Sequence, residues 1–179
     1  MTTTDVSTDV SAPTATDLGL LILRVGIGAA MIQAGLIKAF DFGTTVEFMA
    51  AGGWRMPTFA ALMVTTAETL GGIGLLLGVL TPLAAFAVIA AMIDAWAVNV
   101  STAAFWSQPF NAPFLIFIGA TALLFAGAGA HSVDARLLGR TAWSPRLAVG
   151  LLVAAVVAAV LTWVALNGTN PIHVTAPAA

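Results

Sequence analysis

Three charged side chains fall inside strongly apolar stretches of the sequence, where a charge is costly. They are Arg24, Glu68 and Asp94. Charges placed in hydrocarbon generally face the interior of a helix bundle, pair with one another and mark sites for ligands or protons. Counting helical rises from the ends of the stretches brings Glu68 within reach of an arginine side chain. We therefore predict an ion pair between Arg24 and Glu68.

Two further polar residues share the apolar stretch that contains Arg24. Gln33 lies in its second half, and Lys38 lies near its end, where the long side chain is expected to extend to the membrane surface. Asp94 has Gln33, Lys38 or water as candidate partners. The candidate ligand-binding residues are Arg24, Gln33, Lys38, Glu68 and Asp94, and none of them is assigned a catalytic role.

Two interpretations of these residues remain open. In the first, they are polar contacts that only hold the helices together. In the second, they line a pocket near the middle of the membrane, which handles the polar head of a ligand or a proton. Which interpretation holds depends on how the helices pack and on which of these polar residues they bring together.

The composition indicates an integral membrane protein. Hydrophobic residues make up 60% of the 179 residues, the mean hydropathy is +1.02, and only 8% are charged, against about 25% in soluble domains. Six Lys and Arg argue against nucleic-acid binding. The absence of Cys excludes disulfides and thiolate metal sites, and two distant His argue against a metal or haem site. We expect no metal and no covalently bound cofactor.

Five apolar stretches are long enough to predict membrane-spanning helices. They are Leu18–Phe40, Thr58–Leu80, Leu83–Val100, Ala112–Ala128 and Leu147–Leu166. Four begin close to a proline, which is favoured at the first helical position; the candidate N-caps are Thr81, Asn111 and Ser144. The second and third stretches adjoin closely, which predicts a tight antiparallel hairpin. The fifth has a possible packing face of Ala154, Ala155, Ala158 and Ala159.

The segments outside the spans predict the domain organisation and the orientation. Residues 1–16 are predicted to be a disordered polar tail without the features of a secretory signal peptide. Residues 17–138 form the main membrane domain, 139–166 an inner loop with the fifth span, and 167–179 a polar tail. Arg136, Arg140 and Arg146 cluster around one loop, so the positive-inside rule places the N-terminus inside and the C-terminus outside.

Two loops on the opposite side are rich in apolar residues. Thr44 to Glu47 matches a capping box, which predicts a short interfacial helix that starts there and ends at Gly52 and Gly53. The other loop holds an aromatic cluster of Phe105, Trp106 and Phe110 with Pro109. These segments either roof a cleft for a flat hydrophobic ligand or form an ordinary aromatic belt.

Three segments in order resemble the DoxX family. LGLLILRVGIGAAMIQAGLIKAFDF has an early arginine, glycines and G-x-x-K followed by an aromatic residue. AETLGGIGLLLGVLTPLAA has a glutamate followed by Gly-Gly and a leucine-rich turn, and GAGAHSVDARL resembles a closing G-x-G-x-x-S-h-D motif. The resemblance covers residues 18–138. It matches Arg24, Lys38 and Glu68 to polar family positions, and its structural motif residues are Gly28, Gly35, Gly71, Gly72, Ser132 and Asp134.

The resemblance implies an all-α four-helix bundle in a bacterial or archaeal cytoplasmic membrane. Some DoxX relatives are subunits of thiosulfate:quinone oxidoreductase, and others are linked to redox-stress systems. Two features depart from the family pattern. Asn111 stands where many members have an acidic residue opening the fourth helix, and Leu147–Leu166 adds a fifth transmembrane helix. The fifth helix suggests docking to another membrane protein.

Three functions are compatible with these observations. The first is a membrane subunit of a quinone-linked redox or respiratory system, which binds a quinone or similar lipophilic ligand among its helices. Such a chain would be at most a non-autonomous subunit of an oxidoreductase. The second is a non-catalytic assembly subunit of a larger membrane complex. The third, a small transporter, is least favoured because no inverted repeat is visible. The expected partners are lipids and other membrane subunits, with no nucleic acid.

Overall fold

The structure, a computed structural model, describes residues 14–102 and 104–175, and in this part of the chain it is helical with no strand. Most of the predicted N-terminal tail, residues 1–13, lies outside the described residues, as do residue 103 and residues 176–179. The helices are α1 (Ala15–Phe40), α2 (Phe42–Ala51), α3 (Pro57–Leu77), α4 (Thr81–Ser101), α5 (Ala112–Ala126), α6 (Val133–Leu138) and α7 (Pro145–Thr162). The predicted all-α fold is confirmed.

All five predicted apolar helices are present. Four are long and apolar enough to cross a membrane: α1, α3, α4 and α7 with its π-helical extension Trp163–Asn167. The fourth predicted span corresponds to α5, a shorter apolar helix of 15 residues, which reaches only about 22 Å. It ends at Gly127, whose φ of +87° turns the chain into a loop.

The helix starts confirm some of the predicted caps. The side chain of Ser144 accepts a hydrogen bond from the N–H of Leu147, and that of Asn111 accepts one from Phe114. The Thr81 prediction is wrong, because Thr81 is itself the first residue of α4 and its side chain makes no cap. Asp134 caps the start of α4 instead, because its carboxylate accepts hydrogen bonds from the N–H groups of Leu80 and Thr81 at 2.8 and 2.9 Å.

The short helix α2 exists, but it does not start at the predicted capping box. It begins at Phe42, because Asp41 is the N-cap and accepts a hydrogen bond from the N–H of Thr44 at 3.3 Å. A carboxylate placed immediately after α1 thus starts α2 one turn earlier than the Thr44 pattern indicates. The predicted end is confirmed, since Gly52 is the C-cap.

Glycines let α1, α3 and α4 approach closely. A Cβ on Gly28 of α1 would lie 2.7 Å from the backbone nitrogen of Leu76, and one on Gly72 of α3 would lie 2.8 Å from the backbone nitrogen of Ile32. On the other side of α3, a Cβ on Gly71 would lie 2.8 Å from a methyl group of Val88 in α4. Such contacts between small residues are a main source of helix association in membranes.

Helix α7 packs against the chain's own bundle. Its buried residues are Ala148, Ala155 and Ala159, and it contacts α4 and α5. Ala154, which was expected on the packing face, is exposed. Arg55, in the α2–α3 loop, holds the far end of the helix: its backbone N–H donates to the carbonyl of Leu166 at 2.7 Å and its guanidinium to that of Ala165 at 3.2 Å.

Candidate ligand-binding cavity

A cavity of about 470 Å³ lies between α3, α4 and α7, beneath α2. Helix α4 forms its floor, because α3 and α7 both pack on α4 and have few contacts with each other. The floor is built largely from small residues, Ala87, Ala90, Ala91 and Ala95. Larger apolar and aromatic side chains complete the wall; they include Phe48, Met49, Trp54, Met63 and Phe86. The volume falls in the range of small-molecule sites, about 300–1,000 Å³.

The ion pair between Lys38 and Glu68 is one polar group on the cavity wall. The Nζ of Lys38 lies 2.6 Å from Oε2 of Glu68, and the side chains are 29% and 4% exposed. Glu68 is near the middle of α3, about 16 Å along the helix from Pro57 and about 14 Å from Leu77. The prediction that Lys38 extends to the membrane surface is therefore wrong, because its amine turns inward to a buried carboxylate.

Asp94 is the second acidic residue that lines the cavity. It belongs to α4, and its side chain is partly buried. Within residues 14–102 and 104–175, its carboxyl group has no hydrogen-bond or ion-pair partner. Asn99 and Thr162 also line the cavity and add neutral polar groups. The cavity thus combines apolar walls with a few polar points on separate helices.

Arg24 lies at a different depth, so the predicted Arg24–Glu68 pair is wrong. Its guanidinium donates to the carbonyls of Leu75 and Leu76 at 3.3 and 3.1 Å, and to that of His131 at 2.6 Å. These α3 carbonyls belong to the last turn of the helix, where the free carbonyls attract a positive charge. They lie about 10 Å along α3 from Glu68. The guanidinium of Arg24 therefore binds the carbonyls at the end of α3 and not the carboxylate of Glu68.

The residues of the closing motif join Arg24 at this end of the bundle. Asp134 is fully buried and caps α4, while its N–H donates to the carbonyl of Gly78 at 2.8 Å. Ser132 is the N-cap of α6, and its hydroxyl donates to the carbonyl of Gly129. We call Arg24, Gly78, Ser132 and Asp134 the hairpin clasp, because together they fix the turn between α3 and α4.

Other candidate residues lie apart from the cavity. Gln33 is exposed on α1 and does not line the cavity. The four motif glycines do not line the cavity either. They lie at contacts of α1 with α3 and of α3 with α4: Gly28, Gly35, Gly71 and Gly72. The predicted roof is present in part: Phe48 and Met49 of α2, with Trp54, line the cavity, whereas the aromatic loop around Trp106 does not.

The contribution of α7 to the cavity is not apparent from the sequence. Ala158, Ala159 and Thr162 of this helix line the cavity opposite α3. The alanine spacing in α7 indicated a packing face, but it did not reveal which neighbour that face meets. Within the described ranges, no three His, Asp or Glu side chains lie together as a possible metal site.

Comparison with known proteins yields a family match for helices α1 to α4. No curated protein and no solved structure matches the chain. The family model described as DoxX matches residues 19–101. The match spans α1 to α4, including Lys38, Glu68 and Asp94, and it ends before Ser132, Asp134 and α7. With its apolar helices, the chain is therefore a multi-pass membrane protein that contains a DoxX domain over residues 19–101.

Proposed function

We propose that this chain is a membrane subunit of a quinone-linked redox or respiratory system. In this proposal the cavity binds a quinone or a similar lipid-soluble molecule. The observation that carries the proposal is the Lys38–Glu68 pair on the wall of an apolar cavity, beside the middle of α3. A flat ring with a polar edge suits such a cavity, because the alanine floor accepts the ring and the polar points fix its orientation.

The ion pair leaves hydrogen-bonding capacity for a ligand. An ammonium group has three donors; that of Lys38 uses one at 2.6 Å to Glu68 and a longer one at 3.4 Å to the carbonyl of Ala34. A remaining donor suits a quinone oxygen, which accepts hydrogen bonds. The described side chains offer no redox group, so electrons would pass between the ligand and a partner protein, while this chain holds and orients the ring.

The proposal includes a location and an orientation. We place the chain in the cytoplasmic membrane of a bacterium or archaeon, with the N-terminus inside and the C-terminus outside. The DoxX match supports a membrane location. The orientation is supported by Arg136, Arg140 and Arg146, which lie in or beside the α5–α7 connection, at the same end of the bundle as the hairpin clasp.

Extraction of bound lipids tests the proposed ligand. The chain is purified from native membranes in mild detergent, and its quinone content per protein is compared with that of an unrelated membrane protein. We expect a clear excess, which falls roughly tenfold in Lys38→Gln/Glu68→Gln, because a charge-assisted hydrogen bond is worth about 1.5–3 kcal/mol. A quinone content equal to that of the unrelated protein would refute the proposal.

A second candidate is a non-catalytic assembly subunit, and one observation favours it. The outward face of α7 is lined with exposed apolar residues, including Val153, Val157, Val160 and Val164. A partner helix could pack there, although lipid would cover such a face equally well. Val157→Trp changes this face without touching the cavity. If the variant keeps its quinone but no longer co-purifies with a redox partner, the face is a subunit interface; unchanged co-purification argues against it.

A further inference from the structure

We propose that the cavity also binds lipophilic cations, with the carboxylate of Asp94 as their counter-charge. This ligand class goes beyond the quinone-binding function proposed above and does not depend on it.

Those residues include one cation and two acids: Lys38, Glu68 and Asp94. Lys38 and Glu68 neutralise each other at 2.6 Å, which leaves the carboxyl group of Asp94 without a counter-charge among the residues that line the cavity. An uncompensated carboxylate in a low-dielectric site is costly. A cationic ligand that neutralises it would therefore gain more from the cavity than a neutral ligand of the same shape.

Two other basic side chains of the bundle, Arg24 and Arg55, are held by backbone carbonyls. The guanidinium of Arg24 is held by three backbone carbonyls at the hairpin clasp. That of Arg55 lies at the far end of α7, where it donates to the carbonyl of Ala165. Neither lines the cavity. Among the described residues, no second cation is positioned to neutralise Asp94 from within the cavity.

The remaining walls also suit a large organic cation. Phe48, Trp54 and Phe86 line the cavity, and the faces of aromatic rings attract cations. The volume of about 470 Å³ admits a ligand with several rings. Small, strongly hydrated inorganic ions would find too few oxygen ligands in such an apolar site.

Two ions of the same shape and opposite charge test this inference. Tetraphenylphosphonium and tetraphenylborate are titrated into the purified full-length chain in non-ionic detergent, with binding measured by equilibrium dialysis. We expect saturable binding of the cation, at least tenfold tighter than that of the anion. Equal affinities for the two ions, or a cation uptake no greater than that of empty micelles, would overturn the proposal.

Two pairs of variants locate the site. Asp94→Asn is expected to weaken cation binding at least tenfold, whereas Asp94→Glu should retain it. Ala158→Phe fills the cavity and should abolish binding, while Ala154→Phe places the same ring on the exposed side of α7 and should not. If Asp94→Asn fails to fold, the alanine pair decides: equal binding by both phenylalanine variants contradicts a site in the cavity.

The quinone content of the same preparations separates this inference from the proposed function. Saturable cation binding by a chain without excess quinone would support the cation site and contradict the quinone proposal. Excess quinone in a chain that does not bind tetraphenylphosphonium would do the reverse.

Discussion

At the scale of single residues, the intramembrane charges separate into two groups with different surroundings. Arg24 is fully buried and its guanidinium is held by backbone carbonyls at the end of α3. Lys38, Glu68 and Asp94 instead face a cavity that has room for a ligand. Arg24 therefore fits the first interpretation, polar contacts between helices, and a ligand-binding pocket is our proposal for the other three residues.

The hairpin clasp yields a prediction at Gly78. Its φ is +66°, and a Cβ there would lie 2.5 Å from Nη1 of Arg24 and 2.6 Å from the Cβ of Ser132. Gly139 is a matched control, because its φ is +63° and it has open space around it. We expect Gly139→Ala to cost about 1 kcal/mol from backbone strain alone. Gly78→Ala should cost about 1–3 kcal/mol more, as measured by denaturant unfolding in detergent.

The Lys38–Glu68 pair yields a second prediction. Lys38→Met should leave Glu68 buried without a partner, at a cost of up to about 3 kcal/mol. Lys38→Met/Glu68→Leu removes both charges, so its melting temperature should lie above that of Lys38→Met. A double variant less stable than the single one, in thermal melts followed by circular dichroism, would show that the two side chains do not stabilise each other as the structure indicates.

At the scale of helices, the close contact between α1 and α3 determines where the Lys38–Glu68 ion pair forms. Gly28 of α1 meets Gly72 and Leu76 of α3, and Gly35 meets Thr69. These contacts place Lys38, one turn after Gly35 on α1, beside Glu68 on α3. The ion pair is therefore a consequence of the glycine face, and widening that face should weaken it.

Gly28→Ala tests this dependence against Gly26→Ala on the same helix. A Cβ on Gly28 would lie 2.7 to 2.9 Å from backbone atoms of α3, whereas one on Gly26 meets nothing within 4 Å. Gly28→Ala should destabilise the fold by about 1–3 kcal/mol. Gly26→Ala should be neutral or stabilising by up to about 1 kcal/mol. Equal unfolding free energies for the two variants would contradict the close α1–α3 contact.

At the scale of the whole molecule, α7 completes the cavity that the DoxX domain begins. The matched residues 19–101 supply the floor, the ion pair and Asp94. Ala158, Ala159 and Thr162 of α7 supply the opposite wall from outside the match. The fifth helix, for which the family resemblance suggested partner docking, thus packs on its own chain and lines its cavity.

The orientation can be tested by single-cysteine labelling, because the chain has no native Cys. Gln108 and Leu137 are both exposed, the first between α4 and α5 and the second on α6. In intact cells a membrane-impermeant maleimide should label Gln108→Cys, and it should label Leu137→Cys only after permeabilisation. The opposite pattern would invert the proposed orientation, and labelling of both in intact cells would contradict it.

Much of the architecture could be predicted from the sequence, but the pairing of its polar residues could not. Hydropathy and prolines locate the helices because both are local properties. Lys38 and Glu68 meet because α1 and α3 pack through glycines. How far one helix is shifted along the other depends on this packing and cannot be read from the sequence of either helix alone. Counting rises from assumed ends therefore paired Glu68 with Arg24, which the carbonyls at the end of α3 hold instead.

We propose above all that a lipophilic ligand occupies the cavity between α3, α4 and α7. The most direct test measures quinone per protein in purified Ala158→Phe and Ala154→Phe. Residue 158 lines the cavity, and residue 154 is exposed and does not line it. We predict that Ala154→Phe keeps the quinone content of the wild type and that Ala158→Phe loses most of it. Equal quinone contents in two folded variants would contradict the claim.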